Sequence, residues 1–161
     1  GIIGLGAIGR RVADLAKAFG CHVIYYSTSG KNTQPGYERT DLDTLLRESD
    51  IVSVHAPLTD ATRGLMNREA FEKMKPTAVF LNVGRGPIVV EKDLAEALKC
   101  GQIAAAGLDV LSAEPMREDN PLREIKDSGR LFITPHIAWA SVEARTGLMD
   151  IVYHQIREFF K

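Results

Sequence analysis

The chain has 161 residues, a length that suits one domain, and its 45% hydrophobic and 25% charged composition is ordinary for a globular protein. The net charge of −1 argues against a large nucleic-acid-binding or membrane-binding face, and no apolar run approaches membrane-spanning length. Cys21 and Cys100 lack CxxC spacing, which disfavours a disulfide framework or a zinc site. We expect both to be free, buried thiols in a reducing cytoplasm, since no signal peptide precedes the first strand.

The first nine residues combine a short apolar strand with a glycine-rich turn of the GxGxxG type. In such a turn the first glycine makes the bend, the second lets the backbone approach a pyrophosphate, and the third lets the next helix pack closely. The pattern predicts dinucleotide binding at the helix N-terminus, and a purely structural glycine turn is the alternative. Dinucleotide binding is favoured because apolar residues follow at helical spacing: Ile8, Val12, Leu15 and Phe19.

Predicted strands and helices alternate along the rest of the chain. Apolar runs predict strands at residues 22–26, 51–54, 78–82, 103–110 and 131–133. Helical spacing predicts four further helices, whose apolar residues include Leu42, Phe71, Leu94 and Leu148. Asn67 is the predicted N-cap of the second of these helices, and the last is predicted to start at Ser141. Residues 27–40 and 112–130 are predicted to be loops. The alternation predicts an α/β fold, a doubly wound parallel sheet of the Rossmann type covered on both faces.

Both ends of the chain look like cut points. The first strand has almost no lead-in before Gly4, and Phe159 and Phe160 at the end of the last helix need a neighbour to cover them. We therefore expect residues 1–161 to be the dinucleotide-binding domain of a larger protein.

Three segments place reactive side chains just after predicted strands, where open α/β sheets bind ligands. Arg85 lies between two glycines and is able to grip a carboxylate through two parallel hydrogen bonds, although a plain surface arginine fits the pattern as well. Asp109 and Glu114 follow the strand at 103–110, and each alone is an ordinary loop carboxylate. His136 follows the last strand, but a lone histidine is more often structural than catalytic.

Taken together, five segments resemble the D-isomer-specific 2-hydroxyacid dehydrogenase family. In chain order they are GLGAIGR, VHAPLT, NVGRG, GLDV with a following EP, and TPHIAW. The resemblance spans nearly the whole chain and implies that Arg85, Glu114 and His136 are the catalytic residues. It also implies an NAD(P)-binding domain that lacks the smaller substrate domain, in an enzyme that forms homodimers.

Other residues match positions that bind or line the cofactor in that family. Asp109 matches a residue near the nicotinamide carboxamide. The remaining predicted cofactor-binding residues are Gly4, Gly6, Ala7, Ile8, Gly9, Ser27, His55, Pro57, Thr62, Val83, His136 and Ala138. For His55, simple packing competes evenly with a role in lining the groove.

The predicted chemistry follows from the residue types. Reduction of a 2-oxo acid needs a hydride donor, a proton for the forming alkoxide and a cation for the substrate carboxylate. NADH or NADPH would supply the hydride. We predict that His136 is the acid, that Glu114 favours its charged form, and that Arg85 binds the carboxylate and polarises the ketone.

The end of the second predicted strand departs from the usual NAD-binding pattern, which has an acidic residue there to accept from the ribose. Ser27 occupies that position, so repulsion of a 2′-phosphate is relieved, and Thr28, Ser29 or Lys31 could also hydrogen-bond it. No arginine is close by in sequence, and small polar residues also bind a plain ribose. The sequence therefore favours NAD slightly and leaves NADP open.

Three functional hypotheses remain at this point. The first is a cytosolic oxidoreductase that acts on a small 2-oxo or 2-hydroxy acid. The second is an NAD-sensing binding module, similar to the transcriptional corepressors that share this fold. The third is an isolated domain that binds dinucleotide without turnover, because a site formed at a domain boundary has lost one wall. We expect no metal site and no nucleic-acid or membrane partner.

Overall fold

Seven parallel strands form one sheet in the computed structural model, which describes residues 1–31 and 33–161. The strands are β1 (Ile2–Ile3), β2 (Ile24–Tyr26), β3 (Glu38–Arg39), β4 (Ile51–Val54), β5 (Val79–Asn82), β6 (Ala105–Leu108) and β7 (Leu131–Ile133). The described residues also form the helices α1 (Ala7–Ala18), α2 (Leu42–Glu48), α3 (Arg68–Lys73), α4 (Glu91–Lys99) and α5 (Val142–Phe159). Short 3₁₀ helices lie at Gly86–Ile88 and Pro121–Glu124.

The strand order is β3-β2-β1-β4-β5-β6-β7, and every neighbouring pair is parallel. The chain first winds outward from β1 to β3 and then returns to β4 on the other side of β1. This confirms the predicted doubly wound fold. The reversal between β1 and β4 opens a crevice at the carboxyl ends of these strands, where open α/β sheets bind ligands.

The hydrophobic core lies on both faces of the sheet, because successive residues of a strand point in opposite directions. Ile3 belongs to the larger cluster, which includes Leu45 of α2, Phe71 of α3 and Leu94 of α4. Ile2 belongs to a smaller cluster with residues of α1. Helices α2, α3 and α4 therefore cover one face and α1 covers part of the other.

Helix α5 contributes no buried residue, so the predicted cover of both faces is only partly realised. The apolar stripe of α1 is also largely exposed: Ile8, Leu15 and Phe19 are 69%, 62% and 87% exposed. The buried residues of α1 are instead the small Gly9 and Ala13, which allow the helix to approach the sheet.

Local signals predicted the helix starts correctly. The Asn67 side chain accepts a hydrogen bond from Ala70 N (3.0 Å), which confirms this N-cap. The last helix starts at Ser141 as predicted, and the Ser141 side chain caps it by accepting from Ala144 N (3.1 Å). Strand β3 was missed, because residues 27–40 were predicted to be a loop. Its two residues are charged and exposed and thus carry no apolar pattern.

The prediction of buried cysteines is wrong: Cys21 and Cys100 are both free thiols but exposed. Within residues 1–31 and 33–161, no helix has the length and apolarity needed to span a bilayer.

Candidate active site

The glycine-rich turn joins β1 to α1 in the geometry that the sequence predicts. Gly4 has a φ of +92°, a left-handed conformation that favours glycine, and its N–H donates to the carbonyl of Tyr26 at the end of β2 (3.0 Å). A Cβ at Gly9 would collide with the carbonyl of Gly4, so α1 lies close against the turn. A Cβ at Gly6 would meet open space. The start of α1 therefore presents backbone N–H groups to an accessible surface, as a pyrophosphate requires.

A cavity of about 420 Å³ adjoins the start of α1 and gathers five of the predicted site residues. They are Ile8, His55, Pro57, Val83 and Arg85. A larger groove of about 680 Å³ lies at the amino ends of the strands, between α1 and β4, and contains none of the predicted site residues. The smaller cavity is thus the candidate binding site.

His55 carries a buried nitrogen beside this cavity. Its Nε2 is 2.9 Å from the Ser53 hydroxyl, and its Nδ1 is buried with no hydrogen-bond partner among the described residues. Burial lowers the pKa of His55, which favours the neutral imidazole. A buried polar atom without a partner is costly, and a bound ligand would remove that cost.

Thr62 lies in the loop after β4, and its hydroxyl forms hydrogen bonds with the backbone of that loop. It is buried, donates to the Pro57 carbonyl (2.7 Å) and accepts from Thr59 N (2.8 Å). Thr62 therefore fixes the loop after β4, and Pro57 is the member of the pair that lines the cavity.

Asn82 positions the loop that carries Arg85. Its side chain is fully buried, donates to the Arg85 carbonyl (3.1 Å) and accepts from Gly84 N (3.0 Å). Arg85 itself is exposed, lines the cavity and donates to the Gly84 carbonyl (2.7 Å). A guanidinium has five N–H donors, so most of them remain for a substrate carboxylate. Asn82 lies inside the NVGRG segment but was not among the predicted site residues.

A close backbone approach joins this loop to the next one. A Cβ at Gly86 would overlap the backbone of Leu111, so only glycine fits there. The loop after β6 is held further by Glu91, which accepts from Ser112 N (2.6 Å) and from the Asn120 side chain (2.8 Å). This role was not predictable, because in the sequence Glu91 is an ordinary acidic residue in the first turn of α4.

Glu114 and His136 are in direct contact, as predicted. Glu114 Oε2 lies 2.7 Å from His136 Nδ1, and Glu114 Oε1 accepts from Leu111 N (2.9 Å). The backbone N–H of Leu111, followed by the imidazole, holds the pKa of Glu114 below its ordinary value. The carboxylate therefore stays ionised at neutral pH and accepts a hydrogen bond from the imidazole N–H.

Asp109 anchors the loop that carries His136. Its buried carboxylate accepts from the Thr134 hydroxyl (2.5 Å), Ile137 N (2.9 Å) and Ala138 N (2.8 Å). Burial raises the pKa of Asp109, but these hydrogen bonds outweigh it and hold the pKa below the ordinary value. His136 has a left-handed backbone, with φ of +54°, at the centre of this loop.

Trp139 closes the same loop, because its indole N–H donates to the His136 carbonyl (2.7 Å).

The predicted residues thus form two neighbouring groups at the carboxyl ends of the strands. The cavity group includes Arg85 after β5, and the second group comprises Asp109 after β6, its loop partner Ala138, and the Glu114–His136 pair. Since β5 pairs with β6 and β6 with β7, the two groups lie on consecutive strands.

Two cationic residues from other elements contact the loop after β2, and neither was among the predicted site residues. Arg39 donates to the carbonyl of Gly30 (2.9 Å), and Arg10 donates to the Gln34 side chain (3.2 Å). Both contacts lie in the loop that begins with the buried Ser27. Sequence distance hid them, because Arg39 arrives through the unpredicted β3 and Arg10 through α1.

Comparison with known proteins identifies relatives along the whole chain. The hydroxypyruvate reductase of Blautia hydrogenotrophica is 45% identical, over 100% of this chain and 50% of its own length. The glyoxylate reductase of Aeropyrum pernix is 47% identical, over 90% of this chain and 43% of its own length. The chain therefore spans about half the length of the curated relatives it matches.

Solved structures match just as completely. The D-lactate dehydrogenase of Aquifex aeolicus, complexed with NAD and lactic acid, has a TM-score of 0.90 at 30% identity, over 99% of this chain and 52% of that one. An acyclic imino acid reductase, Bsp5, in complex with NADPH and D-Arg, has a TM-score of 0.89 at 34% identity, over 99% and 50%. The family model described as "D-isomer specific 2-hydroxyacid dehydrogenase, NAD binding domain" matches residues 1–138. The chain therefore belongs to the D-isomer-specific 2-hydroxyacid dehydrogenase family and contains its NAD-binding domain.

Proposed function

We propose that the full-length protein is an NAD(P)H-dependent oxidoreductase that interconverts a small 2-oxo acid and its D-2-hydroxy acid. Residues 1–161 are its dinucleotide-binding domain, and a smaller substrate domain supplies the other wall of the site. The observation that carries the proposal is the 2.7 Å contact between Glu114, in the loop after β6, and His136, in the loop after β7. Arg85 follows β5, which pairs with β6. A carboxylate, an imidazole and a guanidinium at one sheet edge are the groups that 2-oxo acid reduction requires.

The residues present fit a dinucleotide. The open space at Gly6 and the N–H groups at the start of α1 would hold the pyrophosphate, with Ala7, Ile8 and Gly9 in that first turn. The cavity next to this turn is lined by His55, Pro57 and Val83. The buried Nδ1 of His55, which has no hydrogen-bond partner among the described residues, would form a hydrogen bond with the bound cofactor. When bound, the reduced cofactor supplies the hydride that the protein itself lacks.

His136 and Arg85 divide the remaining chemistry between them. Because Nδ1 of His136 faces Glu114, its Nε2 remains to donate a proton to the carbonyl oxygen of the substrate. The same nitrogen accepts that proton in the oxidative direction. Arg85 binds the substrate carboxylate and stabilises the negative charge that develops on the carbonyl oxygen.

Glyoxylate and hydroxypyruvate are the substrates that we propose first, since related reductases carry those names. The assay is turnover of a panel of 2-oxo acids by the full-length protein with NADH and with NADPH. We expect reduction of short 2-oxo acids. Absence of turnover with every member of the panel, together with intact dinucleotide binding, would favour the binding-module hypothesis instead.

His136→Ala in the full-length protein should lower the rate of reduction by roughly 10²–10⁴-fold, the usual contribution of a positioned acid. His154→Ala is the matched control, because His154 is exposed on α5 and its contacts, with the Asp150 carbonyl and the Tyr153 ring, lie within its own helix. Equal rates for the two variants would remove His136 from the mechanism.

We further propose a homodimer, for which the exposed apolar residues of α5 offer contact surface. They include Leu148, Val152 and Ile156, all of which lack cover in the single chain. Light scattering of the full-length protein would measure its mass.

The free, exposed cysteines fit a reducing compartment such as the cytoplasm.

A further inference from the structure

The loop that follows β2 lacks any negative charge. Residues 27–36 contain no aspartate or glutamate, and Lys31 is their one charged residue. The loop opens with a turn in which Gly30 N donates to the Ser27 carbonyl (3.1 Å). Ser27 directly follows Tyr26, whose carbonyl accepts from Gly4 N in the glycine-rich turn (3.0 Å). The loop is thus adjacent to the segment that would hold the cofactor pyrophosphate, on the side where the adenosine ribose lies in this fold.

Two guanidinium groups converge on this loop from other elements. Arg39 of β3 holds the Ser27–Gly30 turn through the Gly30 carbonyl, and Arg10 of α1 holds the later part of the loop through Gln34. Both are exposed, and each uses one N–H donor in these contacts. Among residues 1–31 and 33–161, no carboxylate lies within ion-pair distance of Arg10, Lys31 or Arg39.

Three acidic residues of the neighbouring elements have other partners: Asp14 accepts from the Tyr37 hydroxyl, Glu38 pairs with His22, and Asp41 caps α2. Arg10 and Arg39 therefore keep N–H donors for a ligand at this loop. A carboxylate that accepts from the ribose hydroxyls, the usual device for selecting NAD, has no counterpart here.

We propose that Ser27, Arg39 and Arg10 form a subsite for the 2′-phosphate of NADP(H), so that the domain binds NADPH more tightly than NADH. The Ser27 hydroxyl lies at the point where the acid would repel that phosphate, and the two guanidinium groups supply the charge that attracts it. This inference rests on the proposed dinucleotide function and names the cofactor that the site selects.

The test is equilibrium binding of NADPH and NADH to the full-length protein by calorimetry. We expect NADPH to bind about tenfold more tightly, the effect of one or two charge-assisted hydrogen bonds. Equal affinity, or tighter binding of NADH, would overturn the subsite while leaving the dinucleotide site intact. Binding of neither cofactor would instead overturn the proposed function.

Variants assign the effect to residues. The double variant R10Q/R39Q should lose most of the preference for NADPH and keep its affinity for NADH, and S27D should reverse the preference. Arg47→Gln is the matched control: it removes an exposed cation at the end of α2 and should leave the preference for NADPH unchanged. If R10Q/R39Q binds NADPH as the wild type does, the arginines are not part of the subsite. The lysine variants R10K/R39K guard against misfolding, because they keep the charge and should retain part of the preference.

Discussion

The carboxylate of Asp109 is the shared anchor of the loop that carries His136, and Asp109→Asn tests that role. Asparagine keeps one acceptor oxygen, which is able to serve the Thr134 hydroxyl and Ile137 N as Oδ1 does now. Its NH₂ group then occupies the place of Oδ2 and faces Ala138 N, so a donor meets a donor. Loss of that charge-assisted hydrogen bond should cost about 2 kcal/mol of local stability.

Hydrogen–deuterium exchange of the Ile137 and Ala138 amides measures this cost directly. A local loss of about 2 kcal/mol corresponds to about thirtyfold faster exchange, since each 1.4 kcal/mol is a factor of ten. Asp127→Asn is the matched control, because Asp127 accepts from Gly129 N through one oxygen that asparagine retains. Unchanged protection of both amides in Asp109→Asn would refute the anchoring role.

Three further predictions concern the groups around this loop. Arg85→Lys should raise the KM for the 2-oxo acid by at least about tenfold, because an ammonium cannot reproduce the paired hydrogen bonds of a guanidinium; a KM equal to that of the wild type would reject the paired contact. The pKa of Glu114 lies below its ordinary 4.5, so its ionised form stabilises the folded state above pH 4.5 and that contribution is lost as the pH falls through the lowered value. The difference in unfolding midpoint between wild type and Glu114→Gln should therefore shrink as the pH falls below 4.5, and a difference that stays unchanged through this acidic range would contradict the prediction. Gly86→Ala should displace the Leu111 backbone and with it the contact of Glu114 with His136, which a fall in kcat would report; full activity would show that the two loops are independent.

Local chemistry made much of the fold predictable. Capping side chains act within three residues, so Asn67 and Ser141 marked their helices correctly from the sequence. Strand β3 escaped because Glu38 and Arg39 join the sheet through backbone hydrogen bonds alone and show no apolar pattern. A pattern of apolar residues also cannot tell what covers them, which is why the exposed stripe of α1 was not foreseen.

Site contacts were harder to predict because they join distant parts of the chain. The partners of Asp109 lie 25 to 29 residues away, and Arg10 lies 24 residues from Gln34. The Glu114–His136 pair was predicted from the resemblance to a known family, since by residue type alone both are ordinary loop residues. The register of neighbouring strands brings these loops to one edge of the sheet, and that register cannot be read from the sequence.

The placement of the three proposed catalytic residues after three adjacent strands has an evolutionary corollary. The relative arrangement of Arg85, Glu114 and His136 is set within one rigid sheet and its short connections. In the proposed enzyme the facing wall belongs to a separate unit, so mutations there can retune which side chain of an acid is accepted while the bond-making apparatus stays untouched. New substrates would then be acquired by remodelling one half of the molecule against an unchanged other half.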